Sequence, residues 1–286
     1  MMKNSCENRE YYIDDPTMAK LFMQSWAPKA KVAHGCVLIT HGLSEHSECY
    51  EHVAKALCDQ GWFVFGWDLQ GHGKSQGARG FVKDFDHFSR DLKAVIQKIK
   101  QDESLPSGQF HLIGHSLGGL ITLQALCSPD APKVQSATFS NPLLGVALEV
   151  PKLKHWASEV LNNIWPSITL DNEVRYPLLS RDPKIVEEYS KDPLRHTKIS
   201  PPLYLGMLKA IEEVKSNITK LKTPVFFQIS GQDKIVSPQA SLDLYKKISS
   251  PKSIKIYEES YHEIYNDINK EEGIDDLCTY LRESIS

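Results

Sequence analysis

The sequence predicts an α/β fold in which helices flank a mostly parallel central sheet, with a block of helices inserted late in the chain. Short apolar runs rich in β-branched and aromatic residues alternate with stretches of helical periodicity. This alternation stops once, after residue 142, and resumes near residue 222. The 286 residues are enough for one elaborated α/β domain or two ordinary ones.

The predicted strands are apolar runs of four to six residues that end near glycine, proline or polar residues. In chain order they are Phe22–Ala27, Cys36–Thr40, Trp62–Trp67, Phe110–Gly114, Ser136–Phe139, Val225–Ile229 and Ser253–Tyr257. Two apolar stripes at helical spacing lie between them. One stripe consists of Tyr50, Val53, Ala54 and Leu57, and the other of Phe85, Phe88, Leu92, Val95, Ile96 and Ile99.

The strand-and-helix order breaks after Asn141-Pro142, where the chain becomes helical, proline-rich and loop-rich. We therefore divide the chain into a core of residues 1–142 and 217–286 and a helical cap of residues 143–216. This block, the cap segment, is expected to cover the carboxyl edge of the sheet, where open α/β sheets bind their ligands.

Composition and charge argue against several classes of function. The chain is 41% hydrophobic and 24% charged, and its net charge of −3 comes without a basic stripe, so no nucleic-acid partner is expected. No apolar run approaches the ~20 residues of a membrane span, and residues 1–8 lack the apolar core of a signal peptide. The six cysteines contain no Cys-x-x-Cys pair. Together these features predict free thiols and a cytoplasmic protein.

The residues around Ser116 carry the strongest chemical signal. The predicted strand Phe110–Gly114 leads into Gly114-His115-Ser116-Leu117-Gly118, and a helical pattern follows directly. This is the context of a nucleophile elbow, a sharp turn that exposes a serine hydroxyl above a sheet. The sequence therefore predicts Ser116 as a catalytic nucleophile.

A serine nucleophile needs a base and an acid that orients the base. Asp233 lies just past the predicted strand Val225–Ile229, and His262 follows the next strand, in the expected order serine, acid, histidine. Taken alone they would be a turn aspartate and a loop histidine. Asp243 is a rival acid, but it lies inside a helical pattern. We predict Ser116, Asp233 and His262 as the catalytic residues.

Acyl transfer also needs donors for the developing oxyanion. His41-Gly42-Leu43 follows a predicted strand, so the backbone amide of Leu43 is the first candidate. The amide of Leu117, directly after the nucleophile, is the second. We expect His41 to hold its loop by hydrogen bonds.

Neither a metal nor an organic cofactor is expected. A loose group of residues, His41, His46, Cys49 and His52, fits no closed zinc spacing. The glycine-rich segment from Asp68 to Ser75 lacks the spacing of a phosphate-binding loop.

The motifs together resemble a known family. They are His41-Gly42-Leu43-Ser44-Glu45-His46, Gly71-His72-Gly73-Lys74-Ser75-Gln76-Gly77, Gly114-His115-Ser116-Leu117-Gly118-Gly119 and Asp192-Pro193-Leu194. From about Phe22 to Leu281 the chain resembles the α/β-hydrolase fold. It is closest to the monoacylglycerol lipase and lysophospholipase branch, the serine-aminopeptidase-like hydrolases.

The resemblance implies a cap over an acyl tunnel and a serine carboxylester hydrolase that acts on monoacyl lipids through an acyl-enzyme. It assigns the same three catalytic residues, and it points to Glu45 and Tyr265 as substrate-binding positions. Three positions depart from the branch, which usually has glycine at Ser44, and arginine at Cys49 and histidine at Tyr265 in its monoacylglycerol lipases. Recognition of a glycerol head group is therefore not implied for this chain.

The cap segment bears on the substrate. Apolar residues at helical spacing form one face, namely Leu153, Trp156, Val160, Leu161, Ile164 and Trp165. We expect this face to pack onto the core; the alternative is an acyl entrance or a lip that touches a membrane transiently. Pro201–Leu208 is a candidate lining of the same pocket.

Three alternative functions stay open. A prolyl-aminopeptidase-like peptidase would use carboxylates to bind a free amino terminus, and Glu149, Glu159, Asp171 and Glu173 are available in the cap segment. A general short-chain esterase would use the same catalytic residues. A non-catalytic ligand-binding homologue is disfavoured because all three predicted catalytic residues are present.

Overall fold

An eight-stranded sheet lies at the centre of the chain in a computed structural model that describes residues 6–14, 18–29, 34–102, 104–106, 108–147 and 151–284. The strands along the chain are Cys6–Ile13 (β1), Leu21–Pro28 (β2), Gly35–Thr40 (β3), Trp62–Trp67 (β4), Gln109–His115 (β5), Ser136–Ser140 (β6), Leu170–Asp171 (β7), Lys198–Ile199 (β8), Val225–Ser230 (β9) and Lys252–Tyr257 (β10). In the sheet their order is β1-β2-β4-β3-β5-β6-β9-β10, while β7 and β8 pair separately.

The sheet is mostly parallel, as predicted. Only β2 runs antiparallel to its neighbours β1 and β4, and every other pairing in the sheet is parallel. All residues of β3, β6 and β9 are buried because helices cover both faces of the sheet. Parallel strands bring the carboxyl ends of β3, β5, β9 and β10 to one edge, and the loops at that edge carry the predicted catalytic residues.

Helices fill the intervals between the strands. They are Glu51–Asp59 (α1), Asp86–Lys100 (α2), Leu117–Leu126 (α3), Lys152–Ile164 (α4), Pro183–Lys191 (α5), Pro201–Asn217 (α6), Pro238–Lys247 (α7) and Lys270–Glu283 (α8). Both predicted apolar stripes face the core: Val53, Ala54 and Leu57 of α1 are buried, as are Phe88, Leu92 and Val95 of α2. Helix α3 is buried along nearly its whole length, which explains why its sequence has no polar face.

The interval between β6 and β9 contains α4, α5, α6 and the short β7–β8 pair. Helix α6 packs against α3, and its residues Leu203, Met207 and Val214 belong to the main hydrophobic core. It ends at Asn217, one residue past the predicted boundary. The division of the chain into a core and a cap stays a prediction.

The edge strand β1 was not predicted from the sequence. Six of its eight residues are exposed, so it has no alternation of apolar and polar residues to indicate a strand. Its pairing with β2 places Cys6 next to the last turn of α1, where it forms a disulfide with Cys58. The prediction of free thiols is therefore wrong for this pair, whose Cα atoms lie 6.2 Å apart. A contact across 52 residues leaves no mark in the cysteine spacing.

The predicted apolar face of α4 is half-buried at Val160 and Leu161 and exposed at its other four residues, so the expectation that it packs onto the core is wrong for most of the face. The exposed fractions are 72% for Leu153, 60% for Trp156, 76% for Ile164 and 59% for Trp165. Helix α4 contacts α6, and these four side chains stay exposed beside that contact. Within the described residues, none of the helices has both the length and the apolar character of a membrane span.

Candidate active site

Ser116 occupies the sharp turn between β5 and α3. Its backbone has φ 49° and ψ −115°, a conformation that residues with a side chain rarely adopt. The glycines around it allow the turn to form. A Cβ atom on Gly118 would lie 2.2 Å from the carbonyl oxygen of Thr40, and one on Gly114 would lie 2.8 Å from the carbonyl oxygen of Gly118. The structure thus has the strand, turn and helix of a nucleophile elbow.

Asp233 and His262 meet because β9 and β10 are adjacent parallel strands, and each residue lies in the loop that follows one of them. His262 Nδ1 donates a hydrogen bond of 2.7 Å to Asp233 Oδ2. The other carboxylate oxygen of Asp233 accepts the backbone amides of Ile235 and Val236, at 2.8 and 2.9 Å. These bonds fix the carboxylate and leave His262 Nε2 as the unprotonated nitrogen of a neutral ring.

The electrostatics of the pair favour an ionised carboxylate beside a basic imidazole. Burial by itself raises the pKa of Asp233, but the His262 ring and the hydrogen bonds to its oxygens hold that pKa below its ordinary value. Burial by itself lowers the pKa of His262, but the charge and the hydrogen bond of Asp233 raise it above the ordinary histidine value. His262 is therefore suited to accept a proton.

Ser116 and His262 line the same cavity at the carboxyl edge of the sheet. Both lie among the described residues, and the structure gives no hydrogen bond between the Ser116 hydroxyl and the His262 ring. Such bonds are commonly loose without substrate, and rotation about one serine bond moves the hydroxyl. Asp243, the rival acid, is exposed on α7 and bonds to Lys246.

His115 is the other histidine near the serine, and its ring centre lies 4.8 Å from that of His262. Its Nδ1 lies 3.2 Å from the Ser140 hydroxyl. Burial and the neighbouring His262 lower the pKa of His115 to about 3, so it stays neutral. His115 is therefore not assigned as the catalytic base.

The two predicted oxyanion donors are Leu43, in the loop after β3, and Leu117, directly after the serine. Leu43 lines the cavity in the loop after β3, and Leu117 is the first residue of α3, where a backbone N–H has no partner within the helix. In the part of the chain that the structure describes, neither amide donates to another protein atom. Both are available to a ligand.

Hydrogen bonds hold the loop that carries Leu43, as expected for His41. The Nε2 of His41 accepts the amide of Leu69 at 3.0 Å, and its Nδ1 lies 2.7 Å from the carbonyl oxygen of Gly42. In the glycine-rich segment, Asp68 accepts the backbone amides of Ser47 and Lys74. These bonds of Asp68 connect the segment to the loop that follows β3.

The cavity lining is mostly apolar and includes a group of charged residues. Its apolar wall includes Leu143, Val174, Leu179, Ile199, Tyr204 and Met207. Two of these, Tyr204 and Met207, belong to the stretch 201–208 that the sequence suggested as a pocket lining. The charged group consists of Glu45, Arg195 and Glu263, and Arg195 lies within 3.6 Å of Glu45 and 3.3 Å of Glu263. Such a cavity suits a molecule with a long apolar part and a small polar part.

A family model described as "Serine aminopeptidase, S33" matches residues 31–269 of this chain. The chain belongs to this family. The predicted resemblance to α/β-hydrolases of the monoacylglycerol lipase type is confirmed, as are the fold and the assignment to the hydrolases.

Individual relatives agree with this assignment. A phospholipase of Bacillus subtilis, YtpA, is 29% identical over 249 residues, which are 86% of this α/β-hydrolase and 95% of that protein. The solved structure of a monoacylglycerol lipase from Paleococcus ferrophilus has a TM-score of 0.83 at 29% identity, covering 92% of this chain and 99% of that one. An uncharacterized abhydrolase domain-containing protein of Dictyostelium discoideum is 32% identical over 93% of this chain, which spans only 28% of that protein's length.

One predicted substrate-binding residue lies elsewhere. Tyr265 of this hydrolase is 2% exposed within a hydrophobic cluster, and its hydroxyl donates to Gln228 Oε1. It does not reach the cavity, because the short helical turn after Glu263 directs it into the core. The assignment of Tyr265 to substrate binding is therefore withdrawn. Glu45, the other predicted residue, does line the cavity.

Sequence reasoning missed Arg195 and Glu263. Arg195 Nη2 lies 3.4 Å from Cys49 Sγ, so a guanidinium reaches the residue at which the resembling lipases have an arginine. Glu263 directly follows His262, and this adjacency to the predicted base was the only available signal. No spacing rule could have placed Arg195 beside Cys49, 146 residues away.

Ser44 also differs from the family pattern, and its backbone shows why glycine is usual there. Its φ is 68°, in the left-handed region. The Ser44 hydroxyl accepts a bond from Asn172 Nδ2 at 2.8 Å, which ties this loop to the cap segment.

One group of side chains has ligand atoms close enough for a metal. His46, Cys49 and Asp192 place such atoms within 4.8 Å of one another. However, His46 Nε2 is hydrogen-bonded to Asp192 Oδ2 at 2.7 Å, and the Arg195 guanidinium lies against the Cys49 sulfur. A neighbouring cation disfavours a metal ion, so we assign none, and the absence of a metal stays a prediction.

Proposed function

We propose that this chain is a serine hydrolase that cleaves the ester of a monoacyl lipid through an acyl-enzyme, with Ser116, His262 and Asp233 as nucleophile, base and orienting acid. The observation that carries the proposal is the 2.7 Å bond between His262 and Asp233 in the cavity lined by the elbow serine. A serine at such a turn next to an oriented imidazole is the arrangement that activates a hydroxyl.

The reaction proceeds in two halves. His262 Nε2 takes the proton of Ser116 as its oxygen attacks the ester carbonyl, and the Asp233 carboxylate stabilises the resulting imidazolium. The amides of Leu43 and Leu117 bind the oxyanion. The tetrahedral intermediate collapses, and His262 gives its proton to the leaving alcohol. Water then attacks the acyl-enzyme in the same way and releases the fatty acid.

The substrate class follows from the cavity and from the relatives. The cavity offers one apolar wall, which accommodates a single acyl chain, and the charged group for the alcohol. Relatives named phospholipase and monoacylglycerol lipase support a lipid ester over a peptide.

We also propose that the exposed face of α4 touches the surface of a membrane or lipid aggregate. Leu153, Trp156, Ile164 and Trp165 present a patch of large apolar side chains, and tryptophan favours the boundary between water and lipid. Val146, at the cavity wall, is 45% exposed. Such contact would let a monoacyl lipid pass into the cavity without crossing water.

Replacement of the serine tests the catalytic proposal. Ser116→Ala is expected to abolish hydrolysis of p-nitrophenyl butyrate and labelling by a fluorophosphonate probe, because the Ser116 hydroxyl shares its cavity with the imidazole that Asp233 orients. Ser140→Ala is a matched control, since Ser140 lies on the adjacent strand and bonds to His115. It should still be labelled. Full labelling of the Ser116 variant would refute the assignment of the nucleophile.

A second function, an aminopeptidase, is favoured by the description of the matching family model and by one observation in the structure. Of the four carboxylates considered for binding an amino terminus, Glu173 lines the cavity. Glu159 and Asp171 are exposed, and Glu149 lies outside the described residues. Turnover of proline p-nitroanilide compared with a monoacylglycerol decides between the two functions, and we expect only the lipid to be hydrolysed.

A further inference from the structure

Ser44 directly follows Leu43, the first proposed oxyanion donor, and among the described residues its hydrogen bonds all go to the cap segment. Its hydroxyl oxygen accepts a bond of 2.8 Å from Asn172 Nδ2 and lies 3.4 Å from His196 Nδ1. Its carbonyl oxygen accepts the backbone amide of His196 at 3.4 Å. Ser44 belongs to the core by its place in the sequence, yet its partners lie in the cap segment.

The short β7–β8 pair brings these two partners together. Asn172 directly follows β7, and its backbone amide donates to the carbonyl oxygen of Thr197 at 2.6 Å. His196 lies two residues before β8, and its Nδ1 accepts the backbone amide of Lys198 at 3.1 Å. Nδ1 is therefore unprotonated, so toward this nitrogen the Ser44 hydroxyl acts as the donor. The hydroxyl thus accepts from Asn172 and donates to His196.

The backbone of Ser44 needs these contacts. Its φ of 68° lies in the left-handed region, which a residue with a Cβ atom disfavours by about tenfold. A residue stays in such a conformation only where its surroundings hold it there. Because the hydrogen bonds of Ser44 go to the cap segment, the cap segment supplies the interactions that hold this φ angle.

The amide of Leu43 lies between one support from the core and one from the cap segment. On the core side, the amide of Gly42 donates to Glu45 Oε1, and the carbonyl oxygen of Gly42 lies 2.7 Å from His41 Nδ1. On the other side stands Ser44. Rotation about its φ angle turns the peptide that precedes it. A Ser44 that relaxes to negative φ therefore displaces Leu43 and the direction of its N–H group.

We propose that Ser44 is a positioning residue that couples the cap segment to the oxyanion donor Leu43. The amide of Leu43 points at the reacting carbonyl only while Asn172 and His196 hold Ser44 in its left-handed conformation. The inference rests on the proposed function for the role of Leu43, and it goes further by making the position of the cap segment a condition of catalysis. Ser44 acts through Leu43 and takes no part in the chemistry itself.

Two replacements of Ser44 test the coupling, with kcat and KM measured on p-nitrophenyl butyrate. Ser44→Ala removes the hydroxyl but keeps a Cβ atom, so the loop relaxes and only about a tenth of the molecules keep the donor in place. We expect kcat to fall about tenfold with KM within about twofold, because the oxyanion forms only in the transition state. Ser44→Gly also lacks the hydroxyl, but glycine adopts this φ freely, so its kcat should stay within about threefold.

A replacement on the cap side tests the same link from its other end. Asn172→Ala removes the shortest of the contacts to Ser44 and should lower kcat about fivefold in the otherwise unmodified enzyme. In the Ser44→Gly background the same change should lower kcat less than about twofold, since glycine no longer depends on the cap segment. Asn172 also accepts the Val174 amide at 3.0 Å, but the loss of that bond is common to both backgrounds.

Ser180→Ala is the matched control. Ser180 is a buried serine of the cap segment whose hydroxyl donates to the carbonyl oxygen of Asn266, in the core loop after β10, at 2.8 Å. It removes a bond of the same kind between cap segment and core, away from the loop of Leu43, so kcat should stay within about twofold in both backgrounds. A thermal melt of each variant checks folding. If Ser44→Ala does not fold, the two Asn172→Ala comparisons decide.

The outcomes separate the coupling from the proposed function. An unchanged kcat in folded Ser44→Ala, or an equal effect of Asn172→Ala in both backgrounds, would overturn the coupling and leave the serine hydrolase standing. A higher kcat in Ser44→Ala than in Ser44→Gly would overturn the argument from the φ angle. If the unmodified enzyme hydrolyses neither p-nitrophenyl butyrate nor a monoacylglycerol, the proposed function itself fails and the role of Ser44 with it.

Discussion

Replacing the carboxylate of Asp233 by an amide gives the sharpest test of how this site works. Asp233 Oδ1 accepts two backbone amides, from Ile235 and Val236, and Oδ2 accepts His262 Nδ1. In Asp233→Asn the amide oxygen is expected to stay with the two backbone donors. Turning it away would leave two buried N–H groups unpaired, at about 1–3 kcal/mol each.

The new NH₂ group of the asparagine therefore faces His262 Nδ1. Two donors cannot bond, so His262 must present Nδ1 as an acceptor and carry its proton on Nε2. That tautomer cannot take the proton of Ser116. From the general cost of holding a catalytic histidine in the wrong tautomer, we expect kcat to fall about 10⁴-fold, which corresponds to about 5.4 kcal/mol.

The assay is the steady-state hydrolysis of p-nitrophenyl butyrate, together with a thermal melt to show that the variant is folded. Asp243→Asn is the matched control, because Asp243 is the exposed acid on α7 that the sequence offered as a rival. Its kcat should stay within about twofold, as surface substitutions usually do. Retention of more than a tenth of the activity in Asp233→Asn, or a large loss in Asp243→Asn, would refute the assignment of the acid.

Two further predictions concern pH and membranes. The rate should rise with pH through the pKa of His262, because only the neutral ring accepts the serine proton. Since Asp233 raises that pKa, the midpoint of the pH profile should lie above the ordinary histidine value of about 6.5. In Asp233→Asn the midpoint should move to lower pH. A rate that is flat from about pH 5 to 9 with chemistry rate-limiting would contradict this. Replacing both Trp156 and Trp165 by alanine should lower the affinity for phosphatidylcholine vesicles about tenfold in a sedimentation assay. Hydrolysis of a water-soluble ester should stay unchanged. An unchanged vesicle affinity would show that α4 does not touch the lipid.

The predicted strands agree with the structure, most clearly for β3 and β9, because parallel strands covered on both faces read as near-continuous apolar runs. All seven predicted strands are present, with ends that differ by one residue at most. The elbow was equally predictable, since Gly114 and Gly118 lie where a Cβ atom would meet backbone. The positions of Asp233 and His262 followed from the rule that strands in one parallel sheet end at the same edge.

Strand β1 and the exposed face of α4 were not predictable in the same way. Strand β1 is a polar edge strand held by pairing with β2, and pairing leaves no trace in hydrophobic periodicity. The stripe on α4 has the spacing of a buried face, but periodicity does not say whether any surface exists to cover it. In both cases the error concerns which surface the element packs against.

By itself, the sequence determined the layered α/β fold, the turn that exposes Ser116 and the family, because all three depend on local patterns of apolar residues, glycines and short motifs. Only the tertiary structure decided which polar groups surround the serine. It buried Tyr265 in the core and placed Arg195 from the cap segment between Glu45 and Glu263. The physical reason is that charges buried in one cavity interact over a few ångströms regardless of their separation along the chain, and no spacing in the sequence records that distance.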